Sequence, residues 1–347
     1  MNRYTSLDID GYEEVLRCDN PEDGFTAWVA IHNSNRGPAL GGCRLWFYED
    51  DEAALTDVLR LSRAMTYKNS LALLPLGGGK SVVRVAPDKV DRTRLFEAIG
   101  DFVESLKGRY IIAEDVNSTL EDMEIVKTRT AHVATVGASG NPSPFTAYGV
   151  YCAIRASVRH KMKREDLGGL TVAIQGVGET GARLAQLLYR DNCRILAADI
   201  NRDHLRNLEQ KIDFTIIEPD EIYSTPCDIF SPCALGGILN SRTIPLLQCK
   251  IVAGSANNQL LTENDGQILY ERKILYGPDY AINAGGVINI SCEIGQDYDP
   301  QKARRLTENI EETVANIYQI SKQQRLPTNI VADSLAKERF FSATLAS

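Results

Sequence analysis

The chain is expected to be an α/β protein of two domains, one of them doubly wound, and three observations predict this. At 347 residues it is long for one core and suits two domains of roughly 100 to 200 residues. Short β-branched or apolar runs alternate with amphipathic helical stretches along its length. One such run, Val172-Ala173-Ile174, opens into Gly176-Val177-Gly178-Glu179-Thr180-Gly181 ahead of a helical stretch. Composition narrows the partners. Apolar content of 44%, charged content of 24% and a net charge of -8 are those of a soluble protein that handles small molecules, not nucleic acid or a membrane surface. No stretch of about 18 apolar residues occurs and the start leads into acidic residues, so a cytoplasmic location is expected.

The elements follow in order. Thr26 to His32 reads as a strand, and Glu52 to about Lys68 as a helix behind an acidic start, which places Lys68 near the helix end. Leu76-Gly77-Gly78-Gly79-Lys80 reads as a glycine loop, followed by a strand from Ser81 to Val85 that ends at Pro87. Arg94 to Lys107 is a second helix and Tyr110 to Ala113 a buried strand, so that Asp115 falls just past a strand's carboxyl end. Val136 to Pro144, rich in glycine and proline, is the candidate hinge. A helix from Thr146 to His160 precedes the strand Thr171 to Gln175, the glycine turn, the helix Ala182 to Tyr189 and the strand Arg194 to Asp199. Asp228 to Ser231 and Lys250 to Gly254 are further buried strands. Helices from Pro300 to Gln323 and Thr328 to Phe341 are long enough to return to the first domain. The resulting boundaries are 1–142 plus about 325–347 for a substrate domain and 143–324 for a dinucleotide domain, with a cleft between them.

A bare glycine series is weak evidence, but a strand before it, a helix after it and Asp199 ending the next strand make a dinucleotide turn. Gly176 would permit the tight turn, Gly178 the approach of a pyrophosphate and Gly181 close helix packing. Asp199 would accept from ribose hydroxyls and repel a 2'-phosphate, favouring NAD, while Arg202 nearby keeps NADP open. Gly77 to Ser81 is not an ATP-binding loop, because Leu74 stands where that pattern needs glycine and the Lys-Ser pair leads into a strand. Those glycines would instead let substrate and nicotinamide approach the backbone beside Lys80. The eight cysteines show no C-x-x-C pair and no histidine at metal-ligand spacing, so they read as reduced, mostly buried thiols, and no metal site is expected. Taken singly, Lys68 would be a helix-terminal cation and Asp115 a loop-capping acid. Together with Lys80 and a nucleotide turn they make an active site that could hold a carboxylate, polarise a carbonyl or imine and move protons.

At these residues the chain resembles the glutamate, leucine, phenylalanine and valine dehydrogenase family, and within it the leucine dehydrogenase-like branch. The likeness takes in Gly37 to Arg44, Met65 to Asn69, Leu76 to Lys80, Ala113 to Val116, Pro142 to Val150, Ser231 to Gly237, Gly254 to Gln259 and Pro278 to Val287, in family order. It implies NAD-dependent oxidative deamination of an L-amino acid to the 2-oxo acid and ammonia, and the reverse amination. By the resemblance Lys68 pairs with the substrate carboxylate, with Gly41 and Met65 beside it. Lys80 acts on carbinolamine and imine through a water, and Asp115 exchanges protons with the amino group. Thr146 and Asn257 are similar to residues that hold the nicotinamide carboxamide, and Val177, Glu179 and Thr180 complete the cofactor turn with its three glycines. Side-chain specificity is implied for Leu40, Ala113, Val287 and Ile290. All four are apolar, and glutamate dehydrogenases carry lysine in place of Leu40, so a leucine, valine or isoleucine type of substrate is expected. Gly236-Gly237-Ile238-Leu239-Asn240 also resembles tryptophan dehydrogenases, which leaves an aromatic substrate as the alternative. Glu179 replaces the family's usual asparagine and Cys43 a common threonine. A homo-oligomer, dimer or higher, is implied, and a non-catalytic NAD-binding protein is the contrasting class.

Overall fold

The computed structural model describes residues 2–85, 90–134, 137, 139–295 and 297–342. Its backbone divides into two compact units, residues 1–140 with 293–298 and 336–347, and residues 141–292 with 299–335.

In the first unit, β1 (Arg3–Leu7), β2 (Glu14–Asn20), β3 (Phe25–Asn33), β4 (Ala39–Trp46), β5 (Gly77–Arg84) and β6 (Tyr110–Glu114) form one sheet in the order β1-β2-β3-β5-β4-β6. The β1 to β5 side is antiparallel, whereas β5, β4 and β6 run parallel. Helices α1 (Asp51–Leu71), α2 (Arg92–Glu104) and α3 (Leu120–Lys127) accompany it. Asp50 caps α1 by accepting from the Ala53 amide, Asp51 and Glu52 sit in its first turn and Lys68 in its last, each sign placed where the helix dipole favours it. One buried cluster joins Val29, Ile31, Leu45 and Val83 of the sheet to Phe96, Ile99 and Phe102 of α2, and a second joins Trp28 and Val82 to Ala54, Val58 and Leu61 of α1.

The glycines before Lys80 are not a loop. Gly77 to Gly79 and Lys80 all lie in β5, with Ile31 opposite Gly79 and Ala30 opposite Lys80. Glycine is disfavoured in strands, yet here close packing demands it. A Cβ on Gly78 would lie 2.0 Å from the Thr66 amide nitrogen of α1, and one on Gly41 of β4 would lie 1.8 Å from the Gly79 carbonyl oxygen. On the side where a Cβ would stand, Gly78 and Gly41 are packed against the chain's own backbone and Gly79 against the Tyr110 ring.

In the second unit α4 (Ser143–Met162) leads to β7 (Thr171–Gln175), α5 (Glu179–Arg190), β8 (Arg194–Ala198), α6 (Arg202–Glu209), β9 (Thr215–Ile216), β10 (Ile229–Pro232), β11 (Ile251–Val252), α7 (Glu263–Glu271), β12 (Leu275–Tyr276), α8 (Asp279–Ile282), α9 (Gly285–Ser291) and α10 (Pro300–Gln324). Helix α11 (Thr328–Ser342) follows, divided between the units at Leu335 and Ala336. All six strands are parallel in the order β12-β11-β10-β7-β8-β9, so the direction of winding reverses between β7 and β10. This is the doubly wound sheet expected, and its switch point lies beside the turn that follows β7. Helix α5 begins at Glu179, three residues before the expected Ala182, because the turn is tight enough for the last glycine to be helical already. Ser143 and Pro144, read as hinge, form the first turn of α4, where proline's missing N–H costs nothing. Val136 of that hinge and Pro87 lie outside the described residues. Among the described residues no helix is long and apolar enough to cross a membrane, and no cluster of His, Cys, Asp and Glu could hold a metal ion. The eight cysteines are free thiols, five of them buried.

Candidate active site and dinucleotide turn

In the first unit the structure brings Lys80 and Asp115 together. Lys80, 5% exposed on β5, places its Nζ 3.0 Å from Asp115 Oδ2 just past the end of β6. Arg44, at the end of the glycine-rich part of β4, donates from Nε to the same oxygen at 3.0 Å and from Nη1 to Asp57 Oδ2 of α1 at 3.0 Å. Tyr48 donates its hydroxyl to Asp57 at 2.7 Å, so two acids, two cations and a phenol form one chain. The local backbone makes room for it. A Cβ on Gly42 would sit 2.7 Å from Asp115 Cβ, and the Asp115 amide donates to Ser118 Oγ at 2.8 Å, which fixes the turn that carries the acid.

Burial pushes the Asp115 carboxyl up, but the charges of Lys80 and Arg44 outweigh burial and hold it down at about 2. The acid is therefore an anion at neutral pH. Burial, then the neighbouring Asp57, raises Tyr48, which stays a neutral donor. Cys43, fully enclosed, is pushed up to about 12 by burial and is no nucleophile.

Met65 and Lys68 lie three residues apart on α1, both half-buried, while Thr66, Tyr67 and Asn69 between and beside them turn into the core. Leu40 and Gly41 follow each other on β4, Leu40 opposite Gly78, and Ala113 on β6 opposite Gly42. Leu40 is 1% exposed and Ala113 6%. Val287 and Ile290 belong to the second unit, half-buried on one face of α9, whose Ile288 and Asn289 are buried.

The second unit holds the other constellation. Gly176 has a φ of 90°, and a Cβ there would lie 2.7 Å from that of Ala234; one on Gly181 would lie 2.0 Å from the Gly176 carbonyl oxygen. Gly178, the N-cap of α5, supplies no side-chain hydrogen bond, and a Cβ on it would meet nothing closer than His204 Cε1 at 3.8 Å. The space beside Gly178 is thus open where α5 starts, with no side chain capping the helix, which suits the approach of a pyrophosphate. Asp199 accepts from the Val177 amide at 2.8 Å and the Asn201 amide at 2.8 Å, and His204 Nδ1 lies 3.1 Å from its Oδ2. Arg202 is turned onto Glu218 at 2.9 Å, not onto Asp199. Thr146 stands in the first turn of α4, where a Cβ on Gly286 would lie 2.7 Å from its Oγ1. Asn257 accepts from Asn283 Nδ2 at 2.9 Å. These residues fit a dinucleotide.

Arg44, Asp57, Tyr48, His204 and Asn283 were not singled out from the sequence. Arg44 closes the motif Gly41-Gly42-Cys43-Arg44 and His204 lies five residues after Asp199, so both carried a signal; the partners Asp57 and Tyr48 carried none.

Residues 12–132 match the dimerisation domain of Glu/Leu/Phe/Val dehydrogenases, and residues 194–346 the glutamate/leucine/phenylalanine/valine dehydrogenase domain. A leucine dehydrogenase of Geobacillus stearothermophilus is 43% identical over 98% of this chain and 93% of its own. The chain belongs to the Glu/Leu/Phe/Val dehydrogenase family. An L-tryptophan dehydrogenase of Nostoc punctiforme is 45% identical over 95% of this chain and 93% of its own. The crystal structure of L-tryptophan dehydrogenase from Nostoc punctiforme superposes with a TM-score of 0.86 at 43% identity, covering 96% of each chain. As a member of this family the chain is an oxidoreductase of the amino-acid dehydrogenase class, and its two-domain α/β architecture is the family's.

Proposed function

We propose that the chain is an NAD-dependent dehydrogenase of an apolar L-amino acid, leucine, valine or isoleucine in type. It would convert the amino acid, water and NAD to the 2-oxo acid, ammonium, NADH and a proton, and run the reverse amination. The observation that carries the reading is the buried Lys80, Asp115 and Arg44 cluster, with Asp115 held as an anion. When bound, the nicotinamide accepts a hydride from the substrate Cα. Lys68 pairs with the substrate carboxylate, beside Gly41 and Met65. Asp115 takes protons from the amino group, and Lys80 moves a proton to and from the water that adds to the imine. The two steps help one another. Once Lys80 has given up its proton, one of the two charges that hold Asp115 down is gone, and the carboxylate becomes a stronger base.

Thr146 and Asn257 would hold the nicotinamide carboxamide, the amides at Gly178, Glu179 and Thr180 the pyrophosphate, and Asp199 the ribose hydroxyls. Arg202's engagement with Glu218 supports NAD over NADP, because it leaves no arginine turned onto Asp199 to receive a 2'-phosphate. Leu40, Ala113, Val287 and Ile290 would line the side-chain pocket. They offer no cation, so a γ-carboxylate would be desolvated without a partner and glutamate is disfavoured. The second reading is an aromatic amino acid, tryptophan or phenylalanine, supported by the small Ala113 and the 45% identical tryptophan dehydrogenase. A dimer or larger assembly of identical chains is proposed from the match to a dimerisation domain.

A panel of L-amino acids with NAD, read as NADH formation, tests the reading. Highest kcat/KM for leucine, valine or isoleucine supports it. Negligible rates for all three with brisk turnover of tryptophan or phenylalanine move the substrate to the aromatic class. No turnover of any amino acid, with NADH still bound, leaves a binding protein.

A further inference from the structure

The first residue of α5 is an acid at the place where a pyrophosphate must dock. Glu179 suits the free protein, since a carboxylate in the first helical turn interacts favourably with the exposed amides and the helix dipole. The same amides and dipole are what a pyrophosphate would use, so Glu179 and the ligand compete as like charges for one electropositive end. The structure supplies an answer one turn on. Arg183 Nη2 lies 2.9 Å from Glu179 Oε2, an i,i+4 ion pair that draws the carboxylate along the helix, and Asn141 Nδ2 approaches the same oxygen at 3.4 Å. Arg183 itself lies in a groove of about 490 Å³ between α4, α5 and the start of α10, where Arg190 and Arg304 also project. Arg304 is engaged by Glu308 and lies over the Tyr148 ring at 4.4 Å, leaving Glu179 as the carboxylate that answers Arg183.

We propose that Arg183 is a positioning residue for the dinucleotide: it holds the Glu179 carboxylate aside and neutralises it, so that α5 keeps an electropositive end despite its acidic first residue. The inference rests on the dinucleotide reading of the turn. Both side chains are partly exposed, at 40% and 69%, so the pair adds little to folding stability. Its effect falls on the field at the pyrophosphate. A single uncompensated charge on the helix turn that receives a dianion, at high effective dielectric and with salt screening, weakens binding by about three- to tenfold.

The test is a double-mutant cycle on the full chain, with NADH affinity read from nicotinamide fluorescence and folding checked by thermal unfolding. Arg183→Met, which keeps an apolar stem, should weaken NADH about three- to tenfold at low salt, with the loss shrinking as salt rises. Glu179→Gln should bind NADH at least as tightly as wild type, and Glu179→Gln with Arg183→Met, in which the two positions again carry no net charge, should return to about the wild-type affinity. If Arg183→Met has no effect, or if the double variant is as weak as Arg183→Met, Arg183 does not act through Glu179 and the proposal is overturned. Wild-type protein that binds no NADH at all would overturn the dinucleotide reading and the inference with it, an outcome distinct from the other two.

Discussion

Asp115 and Asp199 are the same residue type at equivalent places, each the first position after a parallel strand, one in each unit of the molecule. Their partners separate them. Asp115 receives two full positive charges, from Lys80 and Arg44, whereas Asp199 receives two backbone amides and an imidazole nitrogen. Cations around a carboxylate set how readily it takes a proton, and they can change that readiness if one of them is itself a proton carrier. Amides around a carboxylate fix where it points and cannot themselves carry a proton away. A strand-end acid thus becomes a proton-transfer group or a positioning group according to its donors, and the comparison can be broken at either end.

The largest effect is expected at Asp115. Asp115→Asn should lower kcat by about 10²–10⁴-fold, because the group proposed to take protons from the amino nitrogen would be gone. It should also remove an acid dependence of stability. The folded-state value of about 2 lies below the unfolded value near 3.9, so the wild-type carboxylate contributes stability that is present above about pH 4 and lost as pH falls toward 2. That contribution is about 2 kcal/mol. Urea midpoints measured at falling pH should therefore decline more steeply in wild type than in Asp115→Asn, and parallel declines would mean that the two cations do not hold Asp115 as described.

Arg44→Gln is the next in size. It leaves Lys80 in place but removes the permanent charge, the one that proton transfer cannot switch off. The acid limb of the kcat profile should move to higher pH, and kcat at neutral pH should change by about tenfold. An unmoved limb would assign Arg44 to the scaffold, through Asp57, and not to the tuning of Asp115.

How much of this was legible differed between the two units. The turn from Gly176 to Gly181 could be read almost residue by residue, because a βαβ unit is local and its constraints, a positive φ at Gly176 and no room for a Cβ at Gly181, act within a few residues of chain. Lys80 and Asp115 were legible as a pair, but not the cations and acids that surround them. Arg44 reaches Asp115 from β4 while Asp57 of α1 meets the same guanidinium, and nothing in the spacing of 44, 57 and 115 encodes that meeting. The misreading of Gly77 to Gly79 as a loop has the same origin. Local propensity sets glycine against strands, and only the tertiary approach of α1 through Thr66, with the β4 backbone at Gly41, turns three glycines into the condition for a central strand. Helix α5 began early because its first turn and the glycine series share residues.

A smaller effect is expected at the second aspartate. Asp199→Asn keeps an oxygen for the Val177 amide but removes the charge, so the preference for NADH over NADPH in binding should fall by about three- to tenfold. An unchanged ratio would place discrimination elsewhere, with Arg202 and His204 the nearest groups to examine.

The most direct test of the division between the two regions is an effect that should be absent. Lys80→Ala removes the proposed proton carrier from β5 of the first unit, and turnover should fall by about 10²–10⁴-fold. The dinucleotide turn belongs to the second unit and shares no residue with that cluster, so titration of NADH into Lys80→Ala by nicotinamide fluorescence should give a Kd within about twofold of wild type. A loss of NADH affinity that parallels the loss of turnover, in a protein that still unfolds cooperatively, would contradict the assignment of chemistry to the first region and cofactor binding to the second.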